Sequence, residues 1–565
     1  MPPRILVVYA NPAVTASPVP PYGAERIAQA FRMAGCEARV LSPWLELDAL
    51  GALRSALAAW PPDLVAFSVR NLDDALVVRS ADGPGDLDTT FYLPAIRPLV
   101  ALARNRGLPT LLGGAGYSAA PAGTLAWLGA DAGVEGAADD LAWRLGRALA
   151  QGLPLAEALP DDPRVLRRKS APVPAAGGAR SVPPYRQAPG PTPRDGAWIT
   201  LARHRAGRVP VALSAGCDRR CAFCVEGAFV GGAVRPRSTD EVVAEIALLR
   251  GAGVRRIWLA ASELNVPDAR HAVTVLRALA DRRIDVEVSG FLQPAPVDDA
   301  LLDALQALGT DPATLSYEFG HLDDTLLRAG AGPANRRSID RLVELYQRRG
   351  HRVLGGSVLL GAHPLETEAS VDRAVAAAHE LDSALPEGLG LAWAAGGRVY
   401  ANAPLGRWVA ANLEAARPHL VGRLTSGFVA PLVYCRPGTP RELFRRVEAG
   451  LKGCRGPMQA LNAETVLRPD ALRVERWVNR AILAKEAGAP GPAVAACRAA
   501  LRREPRHREA LKQLGLLQAN SLGDARGALG TFRRLRAELA GAEALEIDRV
   551  ISQLSASSTV LPTRR

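Results

Sequence analysis

A chain of 565 residues with 48% apolar composition can bury several hydrophobic cores, which excludes a disordered or fibrous polypeptide. Its formal net charge of +12 comes largely from arginines spread along the chain, and the absence of one basic stripe argues against a nucleic-acid surface. Seven cysteines are too few for a disulfide scaffold. No run reaches the ~18 apolar residues of a membrane span, and Met1-Pro-Pro-Arg-Ile-Leu-Val-Val-Tyr enters a strand pattern instead of a signal peptide, so a cytoplasmic location is expected.

The first part alternates strands and helices. Strands are predicted at Ile5 to Tyr9, Glu37 to Leu41, Leu64 to Ser68, Thr110 to Leu112 and Ala132 to Glu135. Helical patterns separate them, so residues 1–152 read as a doubly wound α/β domain that binds its ligand at the carboxyl ends of a parallel sheet. Residues 153–206 lose this rhythm in closely spaced prolines and glycines and read as a linker or wrapping segment. Alternation resumes with six candidate strands, Val209 to Ala215, Arg256 to Ser262, Asp285 to Phe291, Thr314 to Phe319, Arg352 to Leu360 and Gly388 to Tyr400. Together they predict a partial (β/α)6 barrel over 207–410. Its first helix is announced by the capping pattern Ser238-Thr-Asp-Glu241. Residues 411–565 read as a helical domain. Two helix pairs over about 473–540 place Leu501 and Leu535 34 positions apart, the period of tetratricopeptide repeats, with an ordinary helical bundle as the alternative.

Three cysteines crowd one loop after the first barrel strand, in Gly216-Cys217-Asp-Arg-Arg-Cys221-Ala-Phe-Cys224. Chance would give this spacing on the order of 0.001 times in a chain with seven cysteines. Three thiolates can hold three irons of a cubane that normally has four ligands, leaving one iron open for a chelating substrate. A closed zinc site would need a fourth Cys or His at hand, and the nearest histidine, His204, precedes the loop.

The Cys-x-x-x-Cys-x-aromatic-Cys loop resembles the radical SAM signature. The resemblance implies that Cys217, Cys221 and Cys224 bind a [4Fe-4S] cluster whose open iron takes S-adenosylmethionine. Other segments fit it in order. Ser262 and Glu263 end the second strand, where the family contacts the amino group of the cosubstrate. Ser316 and Glu318 are placed at the end of the fourth, where ribose contacts occur. Gly361, in Gly356-Ser-Val-Leu-Leu-Gly361-Ala-His-Pro-Leu-Glu366-Thr367, belongs to the segment along the adenine.

Ahead of this loop, Gly113-Gly114-Ala-Gly-Tyr-Ser118-Ala-Ala-Pro121 and Glu135-Gly136 resemble the cobalamin-binding domain of the cobalamin-dependent subfamily. The glycines would admit the nucleotide tail, with the corrin over the strand ends. No histidine precedes His204, so the domain lacks an imidazole for cobalt. At the third strand end Ser68-Val-Arg70-Asn71 is similar to the segment facing the corrin in tryptophan methyltransferases of this subfamily. A protonated Arg70 cannot ligate cobalt, and its charge would favour cobalt(I). The plain alternative pairs Arg70 with Asp73 or Asp74.

The subfamily resemblance implies methyl transfer to an unactivated carbon or phosphorus of a small-molecule or peptide substrate, supported by a low-potential donor such as flavodoxin or ferredoxin. A polar methylation without a radical step, as in the tryptophan enzymes, is a variant of it. The main alternative is a non-methylating cobalamin enzyme, a cyclase or ring-rearranging catalyst. A transfer-RNA methylthiotransferase would carry more cysteines than Cys36 in its first domain, and a non-enzymatic scaffold would not keep the cysteine spacing. Cys36 and Cys497 read as core residues, whereas Cys435 and Cys454 are candidates for substrate-facing thiols. The helical tail is a candidate protein-partner site.

Overall fold

The computed structural model describes the chain except residues 13–17, 76, 79–84, 169–190, 206, 230–231, 461–468 and 559–565. Its amino-terminal sheet comprises β1 (Arg4–Tyr9), β2 (Glu37–Leu41), β3 (Leu64–Ser68), β4 (Thr110–Gly113), β5 (Ala132–Val134) and β6 (Val165–Arg167), in the order β2-β1-β3-β4-β5-β6. All neighbours are parallel except β5 and β6. Helices cover both faces, which explains the continuous apolar runs. In β1, Ile5, Val7 and Tyr9 feed one core while Leu6 and Val8 lie in the core on the other face. The order reverses at β1 and β3, whose carboxyl ends flank the crevice in which such sheets bind ligands.

The predicted linker is partly structured. It supplies β6, and Gly196–His204 forms a helix capped by Asp195. Trp198 on that helix is 2% exposed, packs edge-on against Tyr9 at 5.9 Å and donates through its indole to Ser42 at 2.8 Å. Burying that side chain contributes on the order of 2–3 kcal/mol. Residues 169–190 of the predicted linker lie outside the described residues.

The barrel is built from two parallel sheets. One holds β7 (Val209–Ala212), β10 (Arg256–Ala260) and β11 (Glu287–Ser289) in the order β11-β10-β7. The other holds β12 (Ser316–Gly320), β13 (Val353–Leu360), β14 (Gly388–Ala395) and β18 (Met458–Ala460). An isolated bridge from Leu292 to Tyr317 joins their edges. A two-stranded ladder, β8 (Ser214–Ala215) with β9 (Arg235–Pro236), pinches the base of the cysteine loop. The helix after it starts at Thr239, but Ser238 makes no side-chain cap bond there, and the Glu241 carboxylate lies 3.6 Å from the buried Arg237.

Sequence reading places the end of the barrel near residue 410. The structure carries it further. β18 pairs parallel with β14, and a small antiparallel sheet of β15 (Gly397–Arg398), β17 (Leu432–Tyr434) and β16 (Leu420–Gly422) sits beside the barrel. These strands are two or three residues long and lack an alternating signature of their own. The tail is helical, Pro469–Glu486, Pro490–Arg503, Arg508–Asn520, Ala525–Arg536 and Gly541–Ser558, with Leu501 and Leu535 both buried. Among the described residues no helix is long and apolar enough to cross a membrane.

Candidate active site

The cysteine loop leaves β8 through Gly216, whose φ of +104° and close approach exclude a side chain. A Cβ there would lie 2.1 Å from the Ala233 carbonyl oxygen. Ser262, just past β10, donates to the Gly216 carbonyl at 3.0 Å and holds the loop onto the barrel. Within the loop the Cys224 amide donates to the Cys221 carbonyl at 3.1 Å, while the Ala222 amide donates to Gly330 at 3.1 Å. Cys217 is buried, and Cys221 and Cys224 are half-buried.

This loop faces three carboxylates brought from other elements. Glu226 follows it and accepts from Ser262 at 3.4 Å, Glu263 extends from the end of β10, and Glu318 lies in β12, accepting from the Ser357 hydroxyl at 2.6 Å. Gln293 stands beside Glu263 and accepts from Arg219 of the loop at 2.9 Å. Burial pushes the Cys221 thiol up to about 12, helped by the other two thiols and Glu263. Burial and then Glu226 push Cys224 up to about 12 as well. Burial likewise raises Cys217, Glu263 and Glu318. The mouth therefore holds more potential negative charge than it can ionise by itself, and Glu263 Oε2 is buried without a hydrogen-bond partner.

The residues fit a cationic occupant. Three thiols on one loop supply one ligand to each of three irons, and the orphan carboxylate oxygen suits an ammonium group. Among the described residues no three His, Cys, Asp or Glu side chains close on a point that would hold a single metal ion.

Two predicted site residues are placed differently. Ser316 opens β12 instead of ending it, exposed and roughly 7 Å below Glu318 along the strand, because the turn Pro312–Thr314 takes the preceding residues. Gly361 is at the end of β13 with φ +80°, but it backs onto Leu443 and Cys435. Cys435 itself is fully buried, and Cys454 leans on His379 at 3.5 Å near the amino-terminal end of β14, so neither thiol is open to a substrate at the mouth. Cys36 and Cys497 are core residues.

On the amino-terminal sheet Ser68 and Gly113 end β3 and β4 and Glu135 follows β5, while the glycines of the loop pack against protein. Gly114 and Gly116 are pressed against the backbones of Val69 and Asn71, and the Tyr117 ring fills the space over Gly133, so the turn is closed on protein and does not form an open slot. Ser118 is spent internally, donating to the Gly114 carbonyl at 2.9 Å and accepting from the Gly136 amide at 2.8 Å. Gly113 and Glu135 remain partly exposed, and Pro121 is buried as the first residue of the helix Pro121–Leu128.

Arg70 and Asn71 are exposed beyond Ser68 at the end of β3. Asp73 is committed to the buried Arg398 at 2.7 Å and Asp74 accepts from the Thr90 amide, so Arg70 is left without an ion pair among the described residues. Asn11, at the neighbouring end of β1, has a buried carbonyl oxygen without a partner. The crevice between β1 and β3 thus presents a free guanidinium and amide groups, which fit an amide-rimmed corrin. Arg398, Tyr400 and Asn402, which meet this domain from the barrel side, carry no signal in sequence, because their partners lie hundreds of residues away.

Residues 211–378 match the Radical SAM superfamily, and the chain carries a radical SAM domain behind an α/β domain. It is 26% identical over 407 residues to tryptophan 2-C-methyltransferase of Streptomyces laurentii, covering 61% of this chain and 65% of that one. It is 31% identical over 190 residues to the ribosomal protein uS12 methylthiotransferase of Kineococcus radiotolerans, covering 32% and 39%. The chain spans less than half the length of the methylthiotransferases it matches first. Among solved structures it superposes on the radical S-adenosylmethionine methyltransferase TsrM from Kitasatospora setae with a TM-score of 0.66 at 21% identity, covering 88% of this chain and all of that one. That protein has been seen with cobalamin and a [4Fe-4S] cluster, and with tryptophan and a cosubstrate analogue.

Proposed function

We propose that this protein is a cobalamin-dependent radical SAM methyltransferase. The observation that carries the reading is the pairing of an electron-rich mouth, three thiols with the orphan oxygen of Glu263, with a strand-end crevice bearing the unpaired Arg70. Cys217, Cys221 and Cys224 would hold the cluster, Glu263 the ammonium of S-adenosylmethionine, and Ser68, Arg70 and Asn71 the corrin face. Bound there, these groups supply the methyl donor and the one-electron chemistry, and the chain supplies placement and exclusion of water.

Glu318 is held by Ser357 at the mouth, where it can accept from a hydroxyl of a bound nucleoside. Arg70 places a fixed positive charge at the crevice and cannot act as a ligand, which favours the lower charge state of a bound metal. Glu135 is aligned by Asn402 and marks the rim nearest the barrel. The acceptor is a carbon, or phosphorus, of a small molecule or peptide. The tryptophan bound in that structural neighbour makes tryptophan and indole compounds the first to test. A cytoplasmic setting, with a flavodoxin or ferredoxin as donor, completes the proposal.

The methylthiotransferase match covers 32% of this chain, and the first domain here offers only the buried Cys36. Anaerobic reconstitution tests the whole reading. Iron and sulfide near four per chain, a cluster signal perturbed by S-adenosylmethionine, bound cobalamin and a product heavier by one carbon and two hydrogens are expected. Zinc in place of iron, or a cluster indifferent to the cosubstrate, would sink it. A product of unchanged carbon count would move it to the non-methylating alternative.

A further inference from the structure

The segment after β14 makes contacts that a simple connection does not need. Val399 is fully buried in a small core with Leu405, Val409 and Tyr434, while Arg398, Tyr400 and Asn402 point the other way, toward the amino-terminal domain. Arg398 is 5% exposed and Asp73 1%, and their ion pair is 2.7 Å long. The rest of the guanidinium is used by the carbonyls of Val399, Leu432, Phe428 and Val429, and it lies 4.7 Å from the Tyr400 ring centre. The Tyr400 hydroxyl reaches the second oxygen of Asp73 at 3.4 Å. Four residues on from Arg398, the Asn402 side chain donates to the Ser118 carbonyl at 2.7 Å and to Glu135 at 2.8 Å, and its amide donates to the Ala119 carbonyl at 3.2 Å. The Leu405 amide then donates to the Ala222 carbonyl, between Cys221 and Cys224, at 2.8 Å.

One short segment therefore ties the loops beyond β3, β4 and β5 to the cysteine loop. Resting on the function proposed above, we infer that residues 398–405 form a positioning strap, with Arg398 and Asn402 as its positioning residues, that holds the strand-end crevice in register with the cysteine loop. Its local chemistry suits that task. Arg398 is fixed at five points, so it cannot swing, and Asp73 is three residues from Arg70, which limits how far Arg70 can drift. Transfer between two bound groups is sensitive to displacements of about 1 Å, which gives a physical reason for building such a tie from buried hydrogen bonds.

The test uses full-length protein with its cluster reconstituted, with and without cobalamin. Asn402→Leu keeps the branched shape and removes both side-chain donors. Amide exchange is expected to rise about tenfold in peptides covering 69–75, 114–120 and 217–224, with the cluster signal intact. Cobalamin is expected to bind about tenfold more weakly, with a changed cobalt(II) spectrum. Tyr400→Phe, which removes one hydroxyl, is the milder second variant if the first does not fold, and it should loosen 69–75 alone. Unchanged exchange at 69–75 in both variants, or unchanged exchange at 217–224 or an unchanged cobalt(II) spectrum in Asn402→Leu, overturns the strap. Wild-type protein that binds no cobalamin overturns the proposed function instead, and the exchange measurements still decide the strap.

Discussion

Glu263→Gln separates a site residue from a structural one, because it should move stability and binding in opposite directions. In the protein without cosubstrate, burial first and then the charges of Glu226 and Glu318 raise the Glu263 carboxyl above its ordinary range. A raised acid is penalised when ionised. The penalty is full at neutral pH and disappears as pH falls below the ordinary carboxylate value. With Oε2 buried and unpartnered, the cost of the charged form is about 1–2 kcal/mol, which the neutral amide removes. The variant should therefore melt higher at pH 8, by roughly 2–4 °C per kcal/mol if the unit that unfolds is 150–250 residues, with the gain shrinking at pH 5. Binding should go the other way. A carboxylate on an ammonium contributes roughly 1.5–3 kcal/mol, so S-adenosylmethionine should bind the variant about 10- to 150-fold more weakly. Scanning calorimetry at the two pH values and anaerobic titration of the cluster signal measure both. A variant less stable at pH 8 that binds the cosubstrate normally would refute the assignment.

Other expectations follow the same physics. Cys221→Ala should retain almost no iron or sulfide on reconstitution while binding cobalamin as before, as measured by metal analysis and absorbance. Arg70→Ala removes the unpaired charge at the crevice and should lower the cobalt(II)/cobalt(I) midpoint by tens of millivolts, as read by spectroelectrochemistry, with slower methyl loading. Burial raises the Asp162 carboxyl, but bonds from Arg164 and Arg144 outweigh it and hold the group down to about 2. Its folded value is depressed, so the stability it supplies is complete above about pH 4 and is lost between about 4 and 2. Asp162→Asn should cost about 2 kcal/mol at pH 7 in denaturant unfolding, and the difference should close near pH 2.

How much of this was readable in the chain depends on whether a feature is local. Glu37 to Leu41 and Leu64 to Ser68 match β2 and β3 to the residue, since apolar runs between turn residues fix a buried parallel strand. The cysteine loop was legible from spacing, and the need for Gly216 can be traced to a single close approach. Ser316 was misplaced by a few residues because nothing in Thr314-Leu-Ser-Tyr-Glu marks where a turn yields to a strand. Arg70 could be proposed but not shown to be free. That depended on Asp73 being taken by Arg398, 325 positions away, a pairing without local trace. β18 escaped for the same reason, since three residues pair only where the fold delivers them.

The path of the chain has one more consequence. Val474, Val478 and Ile482 of the tail share a core with Ile5, Phe31 and Trp198 of the first domain, and Arg205 donates to Asn479 at 2.8 Å. The polypeptide thus returns to its first domain, and the helix Pro469–Glu486 acts as a buckle across it. Cutting it after residue 460 would not shed an appendage. It would uncover the apolar flank of the module proposed to carry cobalamin, leaving a protein that keeps its barrel but becomes sticky and loses its grip on that cofactor.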